Sequence, residues 1–142
     1  MPISRAKARW EGNLQEGSGT VALESGAFEG PYSFATRFEG ARGTNPEEWI
    51  GAALSGCFSM ALSKRLEDAG HPPKAIETRA EVTLEKSRDG FAIARISLET
   101  EGSVPGMTAE AFENQAEEVK KTCPVSKALA GTAIDLKATL RD

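Results

Sequence analysis

Histidine is nearly missing from this chain: His71 is the only one, and cysteine occurs just twice, as Cys57 and Cys123. Two cysteines and one histidine do not readily supply the three or four converging ligands of a soft-metal site. A cysteine–histidine hydrolase pair would need His71 beside Cys57, but His71 follows the end of the predicted helix that holds Cys57, more than about three helical turns away along it. Long apolar runs are absent, and none approaches the ~20 residues of a membrane span. The segment Met1–Trp10 carries charge without an apolar centre, so it does not read as a secretory signal. Basic clusters are scarce as well. No run exceeds Lys120-Lys121, and the net charge is −4, unlike a phosphate-binding surface. No phosphate loop or dinucleotide fingerprint appears. The expectation is a cytoplasmic protein with no nucleic-acid or membrane partner. In such a chain two cysteines are more often free, catalytic or redox-active than a structural staple.

At 142 residues one domain, 1–142, is expected. Strands are predicted at Ala6–Glu11, Gly19–Glu24 and Pro31–Phe38, the last from the alternation of Tyr32, Phe34, Thr36 and Phe38. The period then changes. Asn45-Pro46-Glu47-Glu48 is a helix start, with Asn45 at the cap and Pro46 at the first position. Gly70 and Pro72-Pro73 end that helix near Ala69. It lacks charge over much of its circumference, so it is expected to be buried on several sides, partly by a second subunit. Two long strands follow, Ala75–Glu85 and Phe91–Glu101, joined by a hairpin at Ser87-Arg-Asp-Gly90. The apolar phase of the second strand shifts between Ile93 and Ile96, the mark of a bulge. Thr108 caps a helix running to about Lys121, Cys123-Pro124 opens a short helix closed by Gly131, and Thr132–Leu140 reads as a final strand. The order βββαββαβ is that of an α+β domain.

The two thiols have unlike surroundings. Cys57 lies among small and apolar residues, where desolvation raises a thiol pKa, so a passive core cysteine is one reading and a nucleophile with a nearby cation the other. Arg37, flanked by aromatics, is the candidate cation. On a strand it is either an edge residue or a buried charge in need of a carboxylate. Glu48 forms Asn45-x-x-Glu48, a capping-box pattern, and it lies about 13–14 Å along the helix axis from Cys57. It can cap its helix or orient an arginine. Cys123 sits at a predicted helix N-terminus just after Lys120-Lys121, both features that lower a thiol pKa; the plain alternative is a turn cysteine. A peroxidase, a passive binding module for a hydrophobic ligand, and a thiol hydrolase or transferase all remain open on these residues.

The chain resembles the osmotically inducible protein C (OsmC) family of the OsmC/organic hydroperoxide resistance superfamily. The matching segments run in order: Trp10-Glu-Gly12, Gly19-Thr-Val21, Glu24-Ser-Gly26, Thr36-Arg-Phe-Glu-Gly40, Gly43-Thr-Asn-Pro-Glu-Glu48, Ile50-Gly-Ala-Ala53, Cys57-Phe-Ser-Met-Ala-Leu62, Val104-Pro-Gly106 and Cys123-Pro-Val-Ser126. The resemblance is closer to the OsmC branch than to the other, where the arginine comes from an earlier part of the chain. It implies antiparallel-rich sheets around a central buried helix, in an intertwined homodimer with active sites at the subunit interface. It implies a thiol peroxidase acting on organic hydroperoxides without metal or cofactor and reset by a dithiol reductant such as a lipoyl protein. Cys57 matches the peroxidatic cysteine and Cys123 the resolving one, with Arg37 and Glu48 as the paired arginine and glutamate.

Overall fold

Short alternating segments bounded by turns build the first sheet of the computed structural model, which describes residues 1–142. Strands β1 (Ala6–Glu11), β2 (Ser18–Leu23) and β3 (Glu29–Tyr32) form an antiparallel meander. Gly19 in β2 is where a side chain would collide: an added Cβ would lie 2.4 Å from the Arg9 carbonyl oxygen and 2.6 Å from the Tyr32 ring. Trp10 and Tyr32 pack with ring centroids 5.3 Å apart.

The third predicted strand, Pro31–Phe38, stops at Tyr32, and its second half is the short helix α1 (Phe34–Phe38). A reciprocal capping box causes the switch. Ser33 Oγ accepts from the Thr36 N–H at 3.2 Å, and Thr36 Oγ1 accepts from the Ser33 N–H at 2.8 Å. Phe34 and Phe38 are four apart, a spacing that suits one strand face or one helix face; here the rings meet as an i,i+4 pair at 4.8 Å. Helix α2 (Pro46–Asp68) starts as the sequence predicts. Asn45 Oδ1 accepts from the Glu48 N–H at 2.9 Å, Pro46 is its first residue, and Gly70 beyond its end has φ +87°.

Two compact units result, Met1–Trp49 and Ile50–Asp142, with α2 beginning in the first. In the second unit β4 (Ala75–Ser87) and β5 (Gly90–Ser103) form the long antiparallel hairpin. The register shift falls where the apolar phase changes: Thr83 pairs with Arg95 and Leu84 with Ile93, leaving Ala94 as the bulge residue. Helices α3 (Ala109–Thr122) and α4 (Pro124–Ala128) then carry the chain over to β6 (Ala133–Leu140), which lies parallel to β5. Such a parallel return needs a crossover of this length.

The core of this unit is a stripe along α2, Leu54, Phe58, Leu62 and Leu66, all fully buried. It meets Ile96 and Leu98 of β5 and Phe112, Ala116 and Val119 of α3. Two glycines make the packing close. An added Cβ at Gly51 would touch Val82 at 3.4 Å, and one at Gly102 would lie 2.5 Å from the Phe112 ring. A polar group beside this stripe is satisfied: Ser59 Oγ donates to Thr78 Oγ1 at 2.8 Å, which is 2.9 Å from the buried Thr100 Oγ1. The uncharged surface of α2 is not wholly covered. Ala52, Ala53, Gly56 and Met60 are exposed, Met60 at 78%.

Candidate active site

Helical spacing places Cys57 next to the buried stripe. It follows Leu54 by three residues and precedes Phe58, so it packs against the core yet stays partly exposed. Cys123 is a hinge between helices. Its N–H donates to the Val119 carbonyl at 2.8 Å, closing α3, and its own carbonyl accepts from the Lys127 N–H at 3.0 Å, opening α4. Pro124 follows as the first residue of α4, as predicted for Cys123-Pro124. The Cys123 side chain is fully buried.

These two thiols, 66 residues apart in sequence, meet: Cys57 Sγ and Cys123 Sγ are 2.8 Å apart, and neither is in a disulfide. Their environments push them in opposite directions. Burial raises the Cys57 thiol, and so does Cys123, by hydrogen bonding and by charge; the Val125 N–H opposes them. Burial pushes Cys123 up too. It is outweighed by the hydrogen bond from Cys57, by the Ser126 N–H and hydroxyl, and by the Val125 N–H, so Cys123 lies below the ordinary cysteine range. Once ionised, Cys123 can only accept, and the Cys57 S–H donates to it. Within this unit the buried thiol is therefore the more acidic and the accessible one the less acidic.

Lys120 and Lys121 do not account for this. They are held by Glu117 at 3.3 Å and Glu118 at 3.4 Å along α3 and are not among the groups acting on Cys123. The expected lysine effect is replaced by donors of α4, because a helix directs residues three apart to one face and these lysines find acids there.

In the first unit Arg37 lies on α1, not on a strand, and it has a carboxylate partner. That partner is Glu47, not the expected Glu48. Arg37 Nη2 donates to Glu47 Oε1 at 2.6 Å, and Nε contacts the two carboxylate oxygens at 3.2 and 3.3 Å. The Glu47 side chain is 9% exposed and that of Arg37 35%. Glu48 instead lends its N–H to the Asn45 cap. The two glutamates are one residue apart, about 100° around the helix, so only one can face α1. Asn-Pro-Glu-Glu offers both acids to a reader of the sequence, and nothing local distinguishes them. Beside Arg37 opens a cleft of about 250 Å³ walled by Trp10, Leu14, Tyr32, Phe34 and Phe38. The guanidinium carbon lies 5.4 Å from the Phe38 ring centre.

His71 is apart from the thiols' partners, its Nδ1 lying 3.3 Å from the Pro105 carbonyl oxygen. No three His, Cys, Asp or Glu side chains converge as a metal-ligand set. Sequence reasoning gave Ser126 no role, although it closes the Cys-Pro-Val-Ser segment. Its buried hydroxyl has no hydrogen-bond partner of good geometry.

Known proteins share this arrangement of sequence and fold. Residues 39–138 match the family model described as OsmC-like protein. The chain is 51% identical over 126 residues to Peroxiredoxin OsmC of Escherichia coli (strain K12), a match covering 88% of each. Among solved structures it is similar to an organic hydroperoxide resistance protein from Elizabethkingia anophelis, with TM-score 0.74 and 25% identity over 98% of this chain and 96% of that one. The fold is also that of OhrB of Bacillus subtilis, with TM-score 0.72 and 24% identity over 96% of this chain and 98% of that one. On the family match and the identity to a relative over most of its length, this chain belongs to the OsmC family.

Proposed function

We propose that this protein is a thiol-dependent peroxidase that reduces organic hydroperoxides, and hydrogen peroxide more weakly, to the alcohol or water. The observation that carries this reading is the 2.8 Å approach of one accessible and one fully buried thiol in a chain of the OsmC family. Cys57 is the peroxidatic cysteine, because a peroxide can reach it and cannot reach Cys123. Its thiolate attacks the outer oxygen of ROOH, the O–O bond breaks, and the alkoxide leaves as the alcohol after taking a proton. Cys57 becomes a sulfenic acid. The Cys123 sulfur then attacks the Cys57 sulfur, water leaves, and a Cys57–Cys123 disulfide results. A dithiol reductant, a lipoyl protein being one such group, restores both thiols.

Cys57 needs a cation to become a thiolate near neutral pH, since burial and Cys123 both hold its proton on. Arg37 fills that role in this reading, within one chain or across a dimer. Glu47 holds its guanidinium in plane, leaving the remaining N–H groups for thiolate and peroxide oxygen. The active form is a homodimer. The exposed Ala52, Ala53, Gly56 and Met60 on α2 support this, because apolar surface on so uncharged a helix is suited to a second subunit.

The test counts free thiols before and after stoichiometric tert-butyl hydroperoxide. The wild-type protein loses both thiols and releases the alcohol. Cys57→Ser loses all activity, whereas Cys123→Ser consumes about one equivalent and then stalls as a sulfenic acid or over-oxidises. Retention of both thiols in the wild-type protein, with peroxide unconsumed, would overturn the reading in favour of a passive binding module.

A further inference from the structure

Ser126 is one of two residues whose buried side-chain polar atom lacks a hydrogen-bond partner, the other being Trp49. A buried hydroxyl without a partner carries an uncompensated desolvation cost, so its retention calls for an explanation. The residue is 5% exposed and is the third residue of α4, with Cys123 at the N-cap. In a capping box the third residue's side chain bonds the N-cap backbone N–H, but the Cys123 N–H already donates to the Val119 carbonyl at 2.8 Å, so the Ser126 hydroxyl is left without that acceptor. Here the N-cap side chain is a thiol. Cys123 makes no side-chain cap bond, and the sulfur takes the place of the usual cap oxygen. A buried hydroxyl without a partner and a buried sulfur thus lie three residues apart at one helix start with no hydrogen bond between them, and a hydrogen bond to sulfur strengthens when the sulfur carries charge.

We propose that Ser126 is a hydrogen-bond donor to the Cys123 sulfur that stabilises it as the leaving thiolate when the Cys57–Cys123 disulfide is reduced. This rests on the peroxidase reading above. Access decides which sulfur the reductant attacks, because Cys123 is 0% exposed and Cys57 is partly exposed. One thiolate of a dithiol R(SH)2 forms a bond to the Cys57 sulfur, the S–S bond breaks, and its electron pair goes to Cys123. In this proposal the Ser126 O–H turns to donate to that new charge. The second thiol of the reductant attacks its own sulfur in the mixed disulfide, releasing Cys57 as thiolate and the reductant as a cyclic disulfide. The two protons of R(SH)2 end on the protein thiols. Exchange rates rise as the leaving thiol becomes more acidic. The Ser126 hydroxyl and N–H both act in that direction on Cys123.

The test separates the reductive step from peroxide chemistry. The disulfide is formed with diamide, and its reduction by dithiothreitol is followed by stopped flow in wild type, Ser126→Ala and Ser126→Thr. We expect reduction to slow by about tenfold in Ser126→Ala, the effect of one hydrogen bond to a charged atom, and to recover in Ser126→Thr, which keeps the hydroxyl. Thermal stability should be unchanged or raised, since Ser126→Ala removes a buried hydroxyl lacking a partner. In a Cys57→Ser background, where Cys123 is the sole thiol, ultraviolet thiolate titration should place its pKa higher with Ser126→Ala than without it. An equal reduction rate with an equal Cys123 pKa in the alanine variant overturns the proposal. So does slow reduction accompanied by loss of stability and no rescue by threonine, which marks a packing role. If hydroperoxide leaves both thiols intact while the diamide-formed disulfide shows the Ser126 effect, the peroxidase reading fails and the assignment of Ser126 stands.

Discussion

Substituting one of two adjacent glutamates at a time separates the observed ion pair from the pairing suggested by the sequence. Glu47→Gln keeps the shape of the side chain but removes the charge that holds Arg37. Three donor–acceptor contacts of 2.6–3.3 Å join the two groups, and the carboxylate is 9% exposed. Breaking a fully buried pair by removing one partner costs about 3–5 kcal/mol. The guanidinium is 35% exposed and can recover water, and the amide oxygen still accepts one hydrogen bond, so we expect a loss of about 1–2 kcal/mol. Glu48→Gln leaves the Asn45–Glu48 N–H bond in place because that bond uses the backbone. Its cost should be about 0.5 kcal/mol or less, the scale of a carboxylate's interaction with a helix N-terminus. Urea denaturation reads both. Peroxidase turnover supplies the second measurement: about tenfold or more lost in Glu47→Gln, and within about twofold of wild type in Glu48→Gln, since tenfold corresponds to ~1.4 kcal/mol. Equal effects in both assays, or the larger effect in Glu48→Gln, would refute the assignment of Glu47 as the arginine's partner.

Other outcomes follow from the same geometry. Cys123→Ser removes a neighbour that raises Cys57 by hydrogen bonding and charge, so the Cys57 pKa should fall. At a fixed pH below that pKa its thiolate fraction rises, and iodoacetamide should alkylate Cys57 faster in the variant; a slower reaction contradicts the coupling of the two thiols. Gly102→Ala places a Cβ about where the Phe112 ring lies, at 2.5 Å, and should destabilise by roughly 1–3 kcal/mol in urea unfolding. Light scattering of the reduced protein should give twice the mass of one chain, and Met60→Asp, on the exposed side of α2, should shift it toward a single chain. A single-chain mass for the wild-type protein would remove the dimer from the mechanism.

Features governed by neighbours a few residues apart were legible in the sequence. The Asn45-Pro46 start and Gly70 stop of α2 act within a turn, and so does Cys123-Pro124 at the start of α4. The bulge at Ala94 was visible because a two-residue period cannot absorb an extra residue without changing the apolar phase. Alternation misled at Phe34 and Phe38, where a four-residue spacing serves strand and helix alike and the Ser33–Thr36 capping box made the choice. The candidates Arg37, Cys57 and Cys123 were identifiable by residue type and family pattern, but their partners were not. Which of Glu47 and Glu48 meets Arg37 depends on which side of the first turn of α2 faces α1. The parallel pairing of β6 with β5 depends on a crossover through two helices. The meeting of Cys57 with Cys123 depends on the packing of α2 against α3, since Leu54 and Phe58 share a core with Ala116 and Val119. The acidity of Cys123 comes from Cys57 and from Val125 and Ser126 of α4, not from the lysines that precede it. The chain's local chemistry determined which groups are present and which segments are helix or strand. Only the tertiary structure decided which groups touch, because a contact depends on the relative rotation of elements distant in sequence, and that is settled by burying their apolar faces together.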